Sequence, residues 1–171
     1  FILSLLRLGA DIEKITAVEL IKERFDKLKR KIPYATLENK NYLDVKLDMK
    51  FDIITILAVF SSILDENIQK NILRKAYDEL DDNGILIIYD YDENISKVKS
   101  SYYSSVSFKE LIKELKINKT CYSQYSRVYI NAKIAKLLCK LNCSALIPFL
   151  QLLKIFNDRY SFIVISKPKN E

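Results

Sequence analysis

Two side chains that could bind a nucleoside follow short β-prone segments in the first quarter of the sequence. Glu19 closes the run Ile15–Leu20, and its two carboxylate oxygens match the vicinal hydroxyls of a ribose. Asn41 follows a second run, Tyr34–Glu38, and its amide could pair with an adenine edge, while the neighbouring Tyr42 offers a flat apolar surface. Ligands of doubly wound sheets bind at the carboxyl ends of the strands, where both residues are predicted to lie.

Two further strand ends occur later in the chain, at Leu57-Ala58-Val59-Phe60 and at Tyr89-Asp90-Tyr91. If a reaction at this edge needs a base, the candidates are Asp90, Tyr91 and Asp92. Each candidate also has an ordinary structural explanation: Glu19 as an acid at a helix start, Asn41 as a turn residue, Phe60 as a core aromatic. Taken singly, these structural explanations are favoured, and only the joint order and spacing of the residues changes the balance.

The composition excludes several classes of enzyme. The 171 residues contain no histidine, which excludes a Ser-His-Asp triad, a histidine acid or base and the commonest metal ligand. The three cysteines, Cys121, Cys139 and Cys143, form no Cys-x-x-Cys pair, so neither a disulfide framework nor a metal site is predicted. Reduced thiols are typical of a cytoplasmic protein.

The formal net charge of +6 is concentrated in the last part of the chain. Solvated surface is the favoured explanation of this basic tail, and a long anionic partner is the alternative. No nucleic-acid partner is expected, because no aromatic stacking platform accompanies the charge.

The elements that would position the candidate residues alternate between strands and helices. The nearly continuous apolar runs 51–60 and 85–91 are typical of strands buried on both faces, and between them a helix capped by Asp65 is predicted to end at Asp82-Asn-Gly84. A strand, a helix and a second strand of this kind predict a parallel pair with a right-handed crossover. The predicted fold class is therefore α/β.

The remaining elements are compatible with a single domain over residues 1–171. Residues 92–106 are predicted to form a variable loop, in which Tyr102 and Tyr103 could line an acceptor pocket, and residues 131–157 an apolar helical region. The further predicted helices and strands are a helix ending at Gly9, a helix over 22–31, a helix after Ser107, a β-prone segment at 121–130 and a last strand at 160–166.

The apolar helical region carries three lysines and Pro148, which argue against a membrane span. Packing of a helical pair on the sheet is the favoured explanation. The alternative is peripheral membrane contact through residues 133–156, which liposome co-sedimentation with and without anionic lipid would detect.

Four segments together resemble the motif series of class I S-adenosylmethionine-dependent methyltransferases: Ala17-Val-Glu-Leu20, Lys40-Asn-Tyr42, Phe51-Asp-Ile-Ile-Thr-Ile and Leu80-Asp-Asp-Asn-Gly-Ile-Leu-Ile-Ile-Tyr-Asp90. Phe1–Asp11, Val59-Phe-Ser-Ser-Ile-Leu-Asp65 and Ile88-Tyr-Asp90 resemble more narrowly the bacterial methyltransferases associated with glycan biosynthesis. The resemblance runs along almost the whole chain.

This resemblance implies a Rossmann-like sheet, mostly parallel with an antiparallel last strand, helices on both faces and the strand order 3-2-1-4-5-7-6. It implies S-adenosylmethionine as cofactor, with Glu19 and Leu20 at the ribose, Asn41 and Tyr42 at the adenine, and Ala58, Val59 and Phe60 beside the methionine end. Asn41 departs from the family's usual Asp, but an amide oxygen still accepts from an exocyclic amine. The implied acceptor is a small molecule or a glycan.

The family's first strand and its Gly-x-Gly-x-Gly loop have no counterpart in these residues, whose two glycines are Gly9 and Gly84. We therefore expect a fragment that lacks the central strand and binds S-adenosylmethionine poorly by itself. The rival hypothesis is a non-catalytic relative that keeps the sheet for a binding partner. An in-frame glycine motif upstream of Phe1 would favour the enzyme, and a start codon at that point would favour the rival.

Overall fold

A computed structural model describes residues 2–91, 107–115, 122–130, 137, 138, 140, 141 and 157–168. The polypeptide divides into two compact units, Phe1–Asp48 and Met49–Glu171. In the described residues each unit has its own sheet, with two strands in the first unit and four in the second. The predicted loop at 92–106 and nearly all of the predicted helical region at 131–157 lie outside the described residues.

The first unit is built on a parallel pair of short strands. β1 (Thr16–Val18) lies beside β2 (Thr36–Glu38), in a register that runs from Thr16 with Thr36 to Val18 with Glu38. Two helices accompany them, α1 (Ile2–Arg7) and α2 (Lys22–Lys31). The residues of α2 are mostly good helix formers, its last turn is basic and therefore complements the helix dipole, and Pro33 follows closely.

The second unit contains a mixed sheet in the order β3-β4-β6-β5. β3 (Phe51–Leu57) and β4 (Leu80–Tyr91) are parallel, and β6 (Asn157–Ser166) is antiparallel to both β4 and β5 (Tyr122–Ile130). Helix α3 (Glu66–Asp78) connects β3 to β4, and α4 (Phe108–Glu114) follows later in the chain. As predicted, Asp65 caps α3, where its side chain accepts from the N–H groups of Asn67 and Ile68.

The α/β prediction is confirmed, including the parallel strand–helix–strand unit and the antiparallel last strand. Within each sheet the order is also the expected one: β2-β1 corresponds to the segment 3-2 of the implied series, and β3-β4-β6-β5 to the segment 4-5-7-6.

The core of the second unit lies along one face of β4 and β6. Leu86 and Ile88 of β4 are buried, as are Ile163 and Ile165 of β6 in the neighbouring strand. The helices contribute Ile72, Leu73 and Ala76 of α3 and Phe108, Leu111 and Ile112 of α4. Burial of these apolar side chains is the main stabilising term for the elements that carry the strand ends.

The predicted end of α3 at residues 82–84 is wrong, because the helix ends at Asp78 and β4 already begins at Leu80. Leu80 pairs with Phe51, and the register between the two strands then shifts, so that residues 81–84 bulge before Ile85 pairs with Ile53. The sequence Asp-Asp-Asn-Gly is a strong local turn signal, but here it marks an irregularity inside a strand, because pairing with β3 overrides the local preference.

Gly84 is the residue of this bulge that tolerates no side chain. A Cβ atom at this position would lie 2.8 Å from the carbonyl oxygen of Asp81 and 3.0 Å from that of Phe51, and both are backbone atoms that cannot rotate away. We expect Gly84→Ala to lower the free energy of unfolding by about 2 kcal/mol, measured by urea denaturation.

The matched control is Gly9→Ala, because a Cβ atom at Gly9 meets nothing within 4 Å and the only cost arises from its φ of +92°. That substitution should cost about 1 kcal/mol. Equal or greater destabilisation by Gly9→Ala would show that crowding at Gly84 is not the constraint.

Candidate functional site

In the first unit, Glu19 lies immediately after β1, as predicted. Its backbone N–H donates to the carbonyl oxygen of Glu38 at 3.0 Å, which continues the parallel ladder by one residue. Its side-chain Oε1 accepts from the backbone N–H of Ile21 at 2.9 Å, directly before α2 begins. Glu19 is thus both a strand-end carboxylate and an acid at a helix start, so the ligand-binding and structural explanations apply to the same half-buried side chain.

Asn39, which the sequence pattern did not identify as a candidate residue, fixes the backbone at the end of β1. The residue directly follows β2, and its Nδ2 donates to the carbonyl oxygens of Glu19 at 2.7 Å and Leu20 at 3.1 Å. Parallel pairing places the residues after β1 and β2 at one edge. That rule could have identified Asn39, because it stands closer to the end of β2 than Asn41 does.

Asn41 and Tyr42 lie slightly further from the strand. The side-chain oxygen of Asn41 accepts from the N–H of Leu43 at 3.1 Å and so caps a 3-10 turn at Tyr42–Asp44. Because an amide oxygen has two lone pairs, this bond leaves one acceptor site for a ligand amine. Asn41 and Leu20 are exposed, the latter by 66%, and Tyr42 is half-buried.

In the second unit, β3 ends at Leu57, and Ala58 adopts a left-handed backbone conformation with φ of +53°. Its N–H donates to the carbonyl oxygen of Tyr89 at 2.7 Å, which ties the end of β3 to the end of β4. A left-handed conformation costs a residue with a Cβ atom about 1–2 kcal/mol. Such strain concentrates at functional sites, and here it turns the chain so that Val59 is 39% exposed.

Phe60 is an aromatic residue of the core, which agrees with its structural explanation and not with a ligand contact. Its side chain is fully buried, and its ring contacts that of Phe108 edge-on with the centroids 6.4 Å apart. The resemblance implies that Phe60 lies beside the cofactor with Ala58 and Val59. In the structure those two residues are exposed, and the side chain of Phe60 points into the protein interior.

Asp90 is fully buried at the end of β4. Its Oδ2 accepts from the N–H of Ser61 at 3.1 Å, and its Oδ1 accepts from the N–H of Tyr91 at 2.8 Å. The carboxylate therefore binds the backbone N–H groups of Ser61 and Tyr91 and is not exposed to an acceptor molecule. Tyr91 is half-buried, while Asp92, Tyr102 and Tyr103 lie outside the described residues.

Within the described part of the chain, no group of three or more His, Cys, Asp or Glu side chains is arranged to hold a metal ion. No helix in the same residues is long and apolar enough to span a membrane.

Comparison with known proteins identifies the fold. No family model matches the sequence, and no curated protein matches it either. Solved structures do match: the N-methyltransferase NodS from Bradyrhizobium japonicum WM9 with S-adenosyl-L-homocysteine superposes with a TM-score of 0.57 at 8% identity, over 90% of this chain and 66% of NodS. The plantazolicin methyltransferase BamL, also with S-adenosyl-L-homocysteine, gives a TM-score of 0.64 at 16% identity, over 98% of this chain and 73% of BamL.

A third structure, the [4+2]-cyclase SpnF, gives a TM-score of 0.58 at 10% identity, over 98% of this chain and 71% of the cyclase. The chain therefore has the Rossmann-like methyltransferase fold, and its structural neighbours include S-adenosylmethionine-dependent class I methyltransferases. The chain spans just under two thirds of the length of NodS.

Proposed function

We propose that the chain belongs to an enzyme that transfers a methyl group from S-adenosylmethionine to a small-molecule or glycan-type acceptor. The observation that carries this proposal is Glu19, a carboxylate at the carboxyl end of a parallel strand in a methyltransferase fold. A carboxylate there is suited to a ribose diol, and Asn39 holds its backbone in place.

Methyl transfer from a sulfonium needs little acid–base catalysis, because the leaving group is already activated. Orientation of the two reactants then provides most of the rate enhancement. The burial of Asp90 is therefore compatible with the proposal. The contacts to the adenosine part are assigned to Glu19, Leu20, Asn41 and Tyr42, and those to the methionine part to Ala58 and Val59. The glycan-type acceptor is supported by the resemblance of segments 59–65 and 88–90 to glycan-associated methyltransferases.

The alternative function is that of a methyltransferase-like protein that does not transfer methyl groups, and one specific observation favours it. The cyclase SpnF shares this fold about as closely as NodS does, so the fold is compatible with functions other than methyl transfer. A non-catalytic or differently reacting relative would keep the strands while losing methyl transfer. Incubation with S-adenosyl-[methyl-³H]methionine and candidate acceptors separates the two, because only the methyltransferase moves the label into the acceptor.

We predict that residues 1–171 alone bind S-adenosylmethionine weakly, with no saturation at micromolar concentrations. Glycine-rich loops let backbone N–H groups approach the cofactor closely. Of the two glycines present, Gly84 is enclosed by backbone and Gly9 follows α1, so neither can serve that role.

Isothermal titration of this polypeptide with S-adenosylmethionine measures the affinity. Micromolar binding by residues 1–171 would show that no glycine-rich loop is needed.

A further inference from the structure

The loop that connects β3 to α3, residues 58–64, is held by side chains from three separate elements. Gln69 of α3 donates through Nε2 to the carbonyl oxygens of Phe60 at 3.0 Å and Ile63 at 2.7 Å. Asp90 of β4 accepts from the N–H of Ser61 at 3.1 Å, and Phe108 of α4 packs on the ring of Phe60. We call this loop the β3–α3 loop.

The two polar side chains that hold the loop are themselves buried. Asp90 is fully buried and Gln69 is 5% exposed. Buried polar groups are costly unless their hydrogen bonds are made, so both side chains are committed to the loop geometry. A hydrophobic residue at either position would fill the same space without that cost. Packing alone therefore does not explain why these buried positions carry an aspartate and a glutamine.

The loop in turn maintains a strained residue. Ala58 stays in the left-handed region although this conformation disfavours a residue with a Cβ atom, and its N–H donates to Tyr89. Strain of this kind persists only when the surrounding structure fixes it. The outcome is that Val59, next to Ala58, is exposed while Phe60 and Ser61 are buried.

We propose that Asp90 and Gln69 are positioning residues, which hold the β3–α3 loop in the one conformation that presents Ala58 and Val59 to the ligand. This inference rests on the proposed function, in which the loop contacts the methionine part of the cofactor. It assigns Asp90 a role different from that of a base, since its two oxygens accept backbone N–H groups at 3.1 and 2.8 Å.

The test uses the product of the complete reading frame and two near-isosteric variants, Asp90→Asn and Gln69→Met. Asparagine has one acceptor oxygen where aspartate has two, so one of the backbone N–H groups of Ser61 and Tyr91 loses its partner. Methionine removes both bonds from Gln69 to the loop. We expect each variant to bind S-adenosylhomocysteine about tenfold more weakly by isothermal titration. This factor corresponds to the loss of one charge-assisted hydrogen bond in Asp90→Asn and of two neutral hydrogen bonds in Gln69→Met.

Amide hydrogen exchange of the ligand-free proteins gives a second readout. Exchange in residues 58–63 should accelerate at least tenfold in both variants, while exchange in the buried part of α3 around Leu73 stays within twofold. The control is Leu80→Val, which thins the core at the opposite end of β4, where Leu80 is fully buried. It should lower stability and leave the affinity within twofold.

Variants that fold and retain wild-type affinity would overturn the inference, and so would an equal loss of affinity in Leu80→Val. If the wild-type protein itself binds no S-adenosylhomocysteine, the proposed function fails and the inference fails with it. These outcomes are distinct, because the first two require a wild type that binds.

Discussion

Replacing Phe60 by alanine is expected to destabilise the second unit by about 3–5 kcal/mol, the range found for removal of a large buried aromatic side chain. Phe60 is fully buried, and its ring contacts Phe108 edge-on. The substitution leaves a cavity between the β3–α3 loop and α4, and both elements lose packing. Urea denaturation followed by circular dichroism would measure the change in the free energy of unfolding.

The control for this experiment is the neighbouring residue. Val59 is 39% exposed, so Val59→Ala should cost less than about 1 kcal/mol. If Phe60→Ala left stability unchanged and lowered only ligand affinity, Phe60 would be a ligand contact and its placement in the core would be wrong.

Replacing Glu19 by alanine in the product of the complete reading frame should weaken binding of S-adenosylhomocysteine about 10- to 100-fold. In the proposed site two hydroxyls of the ribose lose a charged acceptor, and hydrogen bonds to charged groups contribute about 1.5–3 kcal/mol. The bond from Ile21 to the Glu19 carboxylate is also lost, but it lies near the surface, so the free energy of unfolding should fall by less than about 1 kcal/mol.

Glu13→Ala is the matched control, since Glu13 is an exposed glutamate of the same unit that lies before β1. Its substitution should leave the affinity within twofold. If the two variants had equal affinities, the effect of Glu19→Ala would come from net charge and not from a contact with the ribose.

The sequence predicted the positions of elements well where hydrophobic pattern and capping agree. The boundaries of α2 and the cap at Asp65 are confirmed, because local propensity and tertiary packing favour the same structure there. At residues 81–84 they conflict: the turn residues predict a helix end, while the register with β3 continues the strand from Leu80. The register is set by contacts distant in sequence, which local patterns do not encode.

The sequence predicted the candidate site only in part. Position after a strand identified Glu19, but it could not distinguish exposed Val59 from buried Phe60, because both belong to the same apolar run. The roles of Asn39 and Asp90 depend on the carbonyl and N–H groups that they reach across a parallel pair. Such partners become visible only when the pairing is known.

The proposed function requires that the carboxyl ends of these strands bind the cofactor of a methyltransferase. Amide hydrogen exchange of the complete reading frame's product, with and without saturating S-adenosylhomocysteine, tests it most directly. We predict slower exchange in residues 19–21, 39–43 and 58–63 and no change in α2. Unchanged exchange in all three segments at saturating ligand would contradict the claim.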